Sequence, residues 1–388
     1  MKKHIARRGL AVAGVMSLLA GTFLAQPVWA RTNHALLVAV TAYPELGDGA
    51  ALVGPNHDAE LVRDYLTKDA PVKFEAGNVT LLADGVESAS LSPTRTHILA
   101  SLKAVTDRVE RDDFVYLHFS GHGAQQPETV DGNETDGLDE IFLPADTGKW
   151  VDKASGVPNA LMDDDIGAAL DAIRDKGAFV WVVFDACHSG NATRVAPIGE
   201  EGYVERKLGS TALGIPEQAI LSAKAAAEKV QGDKAGVAAA QEREAAFTLT
   251  ENGSDKESSR SLPAEQDATG AAAIAKGGMV AFFAAQTTET TPEMPLPRDT
   301  PEAPRYGLFT YTLFSKLAQN PNVTYRQLGH AVLQQYQADS RQRPTPLFEG
   351  DLDRPVFGMS NADRIAQWAI KVENGALEIP AGQLHRLS

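Results

Sequence analysis

Cys187 is the only cysteine in the 388-residue chain, and it stands directly before His188 in the stretch DACHSG. A free thiol has a pKa of about 8.5, so it is a strong nucleophile at neutral pH only when an imidazole takes or stabilises its proton. A second stretch, HFSGHGAQ, places His122 between Gly121 and Gly123. Glycine lets the backbone approach a substrate and leaves N–H groups for an oxyanion. Together the two stretches supply a nucleophile, a base and hydrogen-bond donors, and an inert buried cysteine is the alternative.

Both stretches follow apolar runs that are typical of buried strands, FVYLHFS at 114–120 and FVWVVFD at 179–185. Further strand-like runs lie at 34–40, 78–84 and 279–286, and amphipathic segments separate them. This alternation predicts an α/β fold with a mostly parallel central sheet and helices on both faces. Because sites assemble at the carboxyl ends of such strands, we expect the two stretches to face each other. The predicted helices cover 56–68, 92–110 (capped by Ser92 and Pro93), 163–175, 307–319 and 324–340.

The first 30 residues have the pattern of a secretory signal peptide, with a basic head, an apolar stretch and small residues before Arg31. An uncleaved membrane anchor is the alternative. Cleavage would remove four positive charges (Lys2, Lys3, Arg7 and Arg8) and change the formal net charge from -15 to -19. Such an acidic protein is a poor partner for nucleic acid or anionic lipid. We therefore expect an exported protein, periplasmic or secreted, whose main domain covers 31–358.

Two segments differ from this main pattern. Residues 205–276 are rich in Ala, Glu, Lys, Gln and Ser, which predicts a surface insertion that is partly helical and partly disordered. Residues 359–388 form a C-terminal extension, in which alternating residues around Asn374-Gly375 predict a hairpin.

A zinc site is a rival interpretation of the same residues, because His118 and His122 are four apart and Cys187 and His188 complete a ligand set. That spacing brings two ligands together only on a helix, whereas the run before His122 has the pattern of a strand. The sequence therefore favours a Cys/His pair without a metal.

The two stretches HFSGHGAQ and DACHSG resemble the catalytic motifs of the metacaspases, which are caspase-like cysteine peptidases. The stretches GPNHDAELV, DGLDEIFLPAD, MDDDIGAAL, AAQTTETTPE and YGLFTYTL fall in the family's order, so the resemblance covers about residues 34–358. It implies a catalytic dyad of His122 and Cys187, an oxyanion hole made by the backbone N–H groups of Gly123 and Cys187, and peptide or protein substrates. Caspases proper have Q-A-C-x-G at the nucleophile. Asp185 replaces that glutamine here, which argues against cleavage after aspartate.

The resemblance also implies an acidic pocket for the residue before the scissile bond, formed by Asp58 and Asp185 with Ser120 beside them. Cleavage would then follow Arg or Lys. Structural roles are the alternative, with Asp58 favouring the start of its helix and Asp185 bonding to the turn that follows it. No cofactor is required by this chemistry, and no metal ligand is assigned. Calcium binding by the acidic runs 131–140 and 163–165 stays open, because many metacaspases need calcium.

Self-cleavage in the insertion is a further expectation, since an acidic pocket would meet basic residues in accessible chain. A catalytically unproductive binding or scaffolding protein with the same fold is the alternative function, although both residues of the dyad are present. The candidate cleavage sites follow Arg206, Lys207, Lys224, Lys229, Lys234, Arg243, Lys256 and Arg260.

Overall fold

The computed structural model describes residues 31–130, 134, 136–187, 203–232, 275–286, 289–298, 300–358, 371–373 and 376–378. The signal-like segment 1–30 lies outside these residues. None of the helices in the described ranges is long and apolar enough to cross a membrane.

A six-stranded sheet forms the centre of the domain, in the order β12-β9-β7-β3-β1-β2. All pairings are parallel except that of β12 with β9, which confirms the fold class expected from the sequence. The central strands are almost entirely buried because helices cover both faces, as their apolar runs indicate. The strands are β1 (Asn33–Ala39), β2 (Val79–Ala83), β3 (Phe114–Ser120), β7 (Phe179–Asp185), β9 (Met279–Phe283) and β12 (Leu347–Gly350).

Two apolar clusters hold the helices against this sheet, one on each face. The helices α2 (Arg95–Arg108) and α3 (Asp163–Asp175) pack on one face. The other face is covered by α1 (Gly54–Asp64), α5 (Leu308–Gln319) and α6 (Tyr325–Ala338).

Two helices begin two or more residues away from their predicted starts. The helix expected from 92 begins at Arg95, because the Thr94 side chain, not Ser92, accepts the His97 N–H, while Leu91 bridges to Leu82 in extended conformation. The helix expected over 56–68 begins two residues earlier at Gly54 and ends in a wide π turn, Tyr65–Asp69. A capping box of Thr324 and Gln327 begins α6 at Tyr325, close to its predicted start.

Smaller sheets lie beside the central one. The first is antiparallel, with β4 (Gly123–Pro127), β5 (Leu138–Phe142) and β6 (Leu161–Met162). The second has the order β11-β10-β8, with β8 (Val204–Glu205), β10 (Pro292–Pro295) and β11 (Arg305–Gly307). The C-terminal strands β13 (Lys371–Glu373) and β14 (Ala376–Glu378) pair antiparallel around Asn374-Gly375.

The segment that we expected to be a surface insertion is partly built into the domain. Its residues Arg206, Leu213 and Ile215 are buried, and α4 (Glu217–Gly232) packs on β4 and β5 through Ala223 and Ala227. The expectation was wrong for this first part, because a few apolar residues among many polar ones suffice to anchor it. The remainder, from residue 233 to 274, lies outside the described residues.

Candidate active site

The segments that follow β3 and β7 lie side by side, because these two strands are neighbours in the sheet and pair in register. Ser120 at the end of β3 is opposite Asp185 at the end of β7, so His122 and Cys187 each follow two residues later at the same sheet edge. The backbones are close enough that a Cβ atom on Gly123 would lie 1.9 Å from the carbonyl oxygen of Cys187. Only glycine fits there, which explains the second glycine of the SGHG stretch.

His122 is held in one orientation by its surroundings. Its Nε2–H donates to the carbonyl oxygen of Ala50 at 2.9 Å, and its backbone N–H donates to the hydroxyl of Tyr43 at 2.8 Å. Nδ1 is therefore the unprotonated nitrogen, and it makes no hydrogen bond to any described residue. Burial lowers the pKa of His122 to about 4, against the opposing effect of the Ala50 carbonyl. The imidazole is neutral and its Nδ1 lone pair is available as a base.

Cys187 is fully buried and is held by Thr291. The backbone N–H of Thr291 donates to Sγ at 2.7 Å, and Sγ lies 3.6 Å from the Thr291 carbonyl oxygen. Burial raises the pKa of the Cys187 thiol to about 12, against the opposing effect of the Thr291 N–H. In this conformation the Cys187 thiol and the His122 imidazole are both neutral. His188 lies outside the described residues.

Asp58 and Asp185, which the resemblance assigned to one pocket, both lie within ion-pair distance of the Arg206 guanidinium. Asp58, inside α1, accepts hydrogen bonds from the Ser120 hydroxyl at 2.8 Å and the Gly307 N–H at 2.9 Å. Asp185 accepts from the N–H and hydroxyl of Thr310 at 3.0 and 2.7 Å. Asp58 does not cap its helix, and the described partners of the Asp185 side chain, Thr291, Thr310 and Arg206, are distant in sequence.

Glu293 is a third buried carboxylate of this pocket, and the sequence analysis did not assign it. It accepts the N–H groups of Val53 and Gly54 at 3.1 and 2.9 Å, so Glu293 rather than Asp58 binds the start of α1. Glu293 also pairs with Arg305, with Oε1 and Nε 3.2 Å apart. The stretch AAQTTETTPE, which contributed to the family resemblance, contains Glu293 and was the only available signal for it.

The side chain of Arg206 fills the acidic pocket and is completely buried. Its Nη2 lies 2.7 Å from Asp58 and 3.6 Å from Glu293, and its Nη1 lies 3.3 Å from Asp185. Nη1 also donates to the Ser120 hydroxyl at 2.8 Å. Burial alone would lower the pKa of Arg206, but Asp58, Asp185 and Glu293 raise it on balance. For Asp58, burial outweighs the attraction of Arg206 and raises the pKa to about 7.

The backbone around Arg206 runs through the site in extended form. Its N–H donates to the carbonyl oxygen of Thr291 at 2.9 Å, and β8 pairs antiparallel with β10. The carbonyl oxygen of Arg206 accepts from the N–H groups of Gly123 at 3.4 Å and Cys187 at 3.2 Å. Beyond it, the Leu208 N–H donates to the Gly123 carbonyl oxygen at 3.2 Å. Arg206 thus lies on the two backbone donors that the family resemblance assigned to the oxyanion hole.

His118 lies apart from the dyad in its contacts, contrary to the zinc interpretation. It is buried behind Asp185, with Nδ1 3.0 Å from the Tyr116 hydroxyl and Nε2 3.3 Å from the Thr310 hydroxyl. Burial lowers the pKa of His118 to about 4. Among the residues with described positions, no three His, Cys, Asp or Glu side chains are grouped closely enough to hold a metal ion.

The central sheet is mostly parallel, and His122 and Cys187 follow the ends of adjacent strands, as in the α/β fold expected from the sequence. Residues 33–196 match the family model of the metacaspase, peptidase C14 domain, so this part of the chain is similar to the metacaspases. The match includes His122 and Cys187.

Curated relatives agree with this assignment. Metacaspase-1 of Cryptococcus neoformans is 26% identical over 301 residues, which cover 77% of this chain and 59% of that protein. Metacaspase-1 of Pyricularia oryzae is 24% identical over 319 residues, covering 80% and 70%. The chain thus spans about 59% of the length of the Cryptococcus relative. A solved structure from Geobacter sulfurreducens aligns over 84% of this chain and 98% of its own, with a TM-score of 0.48 and 18% identity.

Proposed function

We propose that the protein is a cysteine endopeptidase that cleaves after Arg and Lys and that processes itself after Arg206. The observation that carries the proposal is the position of Arg206, whose guanidinium lies among Asp58, Asp185 and Glu293 while its carbonyl oxygen accepts from two backbone N–H groups. An extended segment that adds a strand to a sheet edge, with one side chain in a pocket, is a common way to bind a peptide.

The chemistry follows from these contacts. Cys187 Sγ attacks the carbonyl carbon of Arg206 while His122 Nδ1 takes the thiol proton, so the neutral pair becomes an ion pair only during the attack. The N–H groups of Gly123 and Cys187 stabilise the negative oxygen that develops. His122 then gives its proton to the nitrogen of Lys207, the Arg206–Lys207 bond breaks, and water hydrolyses the thioester.

The pocket chemistry supports Arg and Lys over Asp. Asp58, Asp185 and Glu293 are buried together, and a guanidinium or ammonium offsets their mutual repulsion. An aspartate side chain would add another negative charge to the pocket. Arg is favoured over Lys because Nη1 and Nη2 reach different carboxylates, whereas a single ammonium nitrogen does not span them.

Before the cut, Arg206 occupies the site that a separate substrate would need. The first turnover on the protein's own chain therefore precedes hydrolysis of other peptides. We also propose export through the signal-like segment 1–30 and activity that requires no cofactor, with calcium as an added ligand to be tested.

The test uses fluorogenic peptides with the protein's own sequence before the bond, Val-Glu-Arg, and its Lys and Asp counterparts. Wild type should hydrolyse the Arg peptide fastest, then Lys, and Asp least, and the order should be measured with calcium and with chelator. The Cys187→Ala variant should be inactive. If wild type hydrolyses none of the peptides under either condition, the chain is a binding or scaffolding protein instead. Faster cleavage after Asp would reject the assigned pocket.

A further inference from the structure

The segment on the leaving-group side of the Arg206–Lys207 bond is anchored to the domain independently of Arg206. The Leu208 N–H bonds to the Gly123 carbonyl oxygen at 3.2 Å, and Leu208 itself is only 8% exposed. Further along, Leu213 is fully buried and its carbonyl oxygen accepts the Trp150 N–H at 2.8 Å. None of these contacts involves the bond that would be cut.

Helix α4 extends this anchor over the antiparallel sheet. Ala223 and Ala227 are 4% and 5% exposed and face β4 and β5. The fit is close at Gly137, which has a left-handed φ of 76° and whose added Cβ would lie 2.5 Å from the Ala223 carbonyl oxygen. Residues 208–227 are therefore attached to the domain through apolar burial and backbone hydrogen bonds that a cut at Arg206 leaves in place.

A cleaved peptide bond normally releases its amine half, so water takes its place and hydrolyses the acyl enzyme. Here the new amino group of Lys207 would remain one residue from the Leu208–Gly123 hydrogen bond, beside the carbon from which it departed. A nucleophile held in such a position has an effective concentration on the order of 10⁵ M or more when well aligned. It therefore competes with water for the thioester.

We propose that the self-processed protein has a second activity, acyl transfer, in which the amino terminus at Lys207 captures an acyl group from Cys187 and forms a new peptide bond. This inference rests on the proposed cleavage after Arg206. With an outside peptide ending in Arg, Cys187 first forms a thioester and releases the peptide's leaving group. The Lys207 amine then attacks the thioester carbon, the C–S bond breaks, and His122 Nδ1 accepts the amine proton and returns it to the thiolate sulfur. The net reaction exchanges one amide for another and needs no oxidant, metal or energy source.

The acyl acceptor is thus the protein's own chain, and the product is the C-terminal fragment extended at Lys207 by the donor peptide. When the donor is the protein's own Arg206 end, the same step restores the original bond. The self-cut is then reversible, and net processing depends on how often water reaches the thioester first. Because an α-amino group has a pKa of about 7.7 to 8, transfer should gain on hydrolysis as pH rises from 6 to 8.5.

The test uses the full self-processed chain and a dansylated Val-Glu-Arg aminomethylcoumarin peptide. Coumarin release reports thioester formation, and intact mass spectrometry separates dansyl-Val-Glu-Arg acid from a C-terminal fragment that carries dansyl-Val-Glu-Arg on Lys207. We expect the tagged fragment in wild type, in a proportion that increases with pH. Leu208→Lys should reduce the ratio of transfer to hydrolysis at least about tenfold by releasing the segment. Leu221→Lys makes the same change at a position of α4 that is 53% exposed, and should keep the wild-type ratio.

The possible failures are distinguishable. If wild type cuts itself after Arg206 and releases coumarin but yields only the free acid, acyl transfer is rejected and the peptidase proposal stands. If Leu208→Lys gives the tagged fragment in the same yield as wild type, the anchored segment is not the cause of acyl transfer. Absence of both the self-cut and coumarin release rejects the peptidase proposal, and acyl transfer with it.

Discussion

When both are ionised, the two aspartates around Arg206 should still differ in importance, because they lie at different distances from its guanidinium. Nη2 of Arg206 lies 2.7 Å from Asp58, and Nη1 lies 3.3 Å from Asp185. At an effective dielectric constant of about 20 the gross attractions are roughly 6 and 5 kcal/mol, most of which desolvation offsets. Distance alone therefore makes replacement of Asp58 more costly by about 1 kcal/mol.

The hydrogen bonds of the two carboxylates also predict that replacing Asp58 costs more than replacing Asp185. Oδ1 of Asp58 accepts the Gly307 N–H, whereas Oδ2 accepts the Ser120 hydroxyl and lies 2.7 Å from Arg206 Nη2. An asparagine at position 58 would place its NH₂ group against either the Gly307 N–H or the Arg206 guanidinium, and neither of these donors can accept a hydrogen bond. At Asp185, by contrast, the donor that the described residues offer to Oδ1 is the Thr291 hydroxyl, which can rotate and accept from an amide.

We therefore expect Asp58→Asn to reduce kcat/KM for a Val-Glu-Arg peptide by about 2 to 3 kcal/mol, roughly 30- to 150-fold. Asp185→Asn should cost about 1.5 kcal/mol, roughly tenfold, and Asp69→Asn, at an exposed position, should cost nothing measurable. The assay is coumarin release from Arg and Lys peptides by each purified variant, with thermal unfolding as a check on folding. An equal or smaller loss in Asp58→Asn than in Asp185→Asn would refute this account of the pocket.

Three further predictions follow from the same geometry. His122→Ala should reduce kcat at least about a hundredfold, because the base is lost, and steady-state kinetics on the Arg peptide measures it. Gly307→Ala should impair cleavage after Arg, since the added Cβ would lie 2.1 Å from an Asp185 oxygen, whereas Gly77→Ala, which meets nothing within 4 Å, should not. Buried His118 has a folded pKa of about 4, below its unfolded value of about 6.5, so its contribution to stability is complete above pH 6.5 and is lost as pH falls toward 4. In an inactive Cys187→Ala background, His118→Gln should therefore lose less stability between pH 7 and pH 4.5 than the same background with His118. The difference between the two losses, measured as free energy of unfolding in denaturant, should be up to roughly 3 kcal/mol.

The sequence predicted the scaffold of the site well because its signals are local. The runs 114–120 and 179–185 are the observed strands β3 and β7 to the residue, since buried parallel strands are continuous apolar segments bounded by turns. Their register then brings His122 and Cys187 to one sheet edge. The start of α2 was harder to predict, because Ser92 and Thr94 are both good caps and tertiary contacts decide between them.

Local sequence patterns could not predict which basic residue occupies the acidic pocket. Arg206 was one of eight candidates, and its partners come from α1, β3, β7 and β10, which are far apart in sequence. Glu293 was missed for the same reason, since a glutamate between prolines has no periodicity that indicates burial. Burial of the segment after Arg206 depends on Leu208, Leu213 and Ile215, three apolar residues spread through a polar stretch.

The central claim is that Cys187 cuts the protein's own chain after Arg206. Full-length wild type and Cys187→Ala, purified in parallel and incubated in separate tubes with and without calcium, should be compared by intact mass and by sequencing of new amino termini. We predict a wild-type fragment that begins at Lys207 and no such fragment in Cys187→Ala. A wild-type chain that stays intact while it hydrolyses Arg peptides, or a Cys187→Ala chain cut at the same bond, would contradict the account.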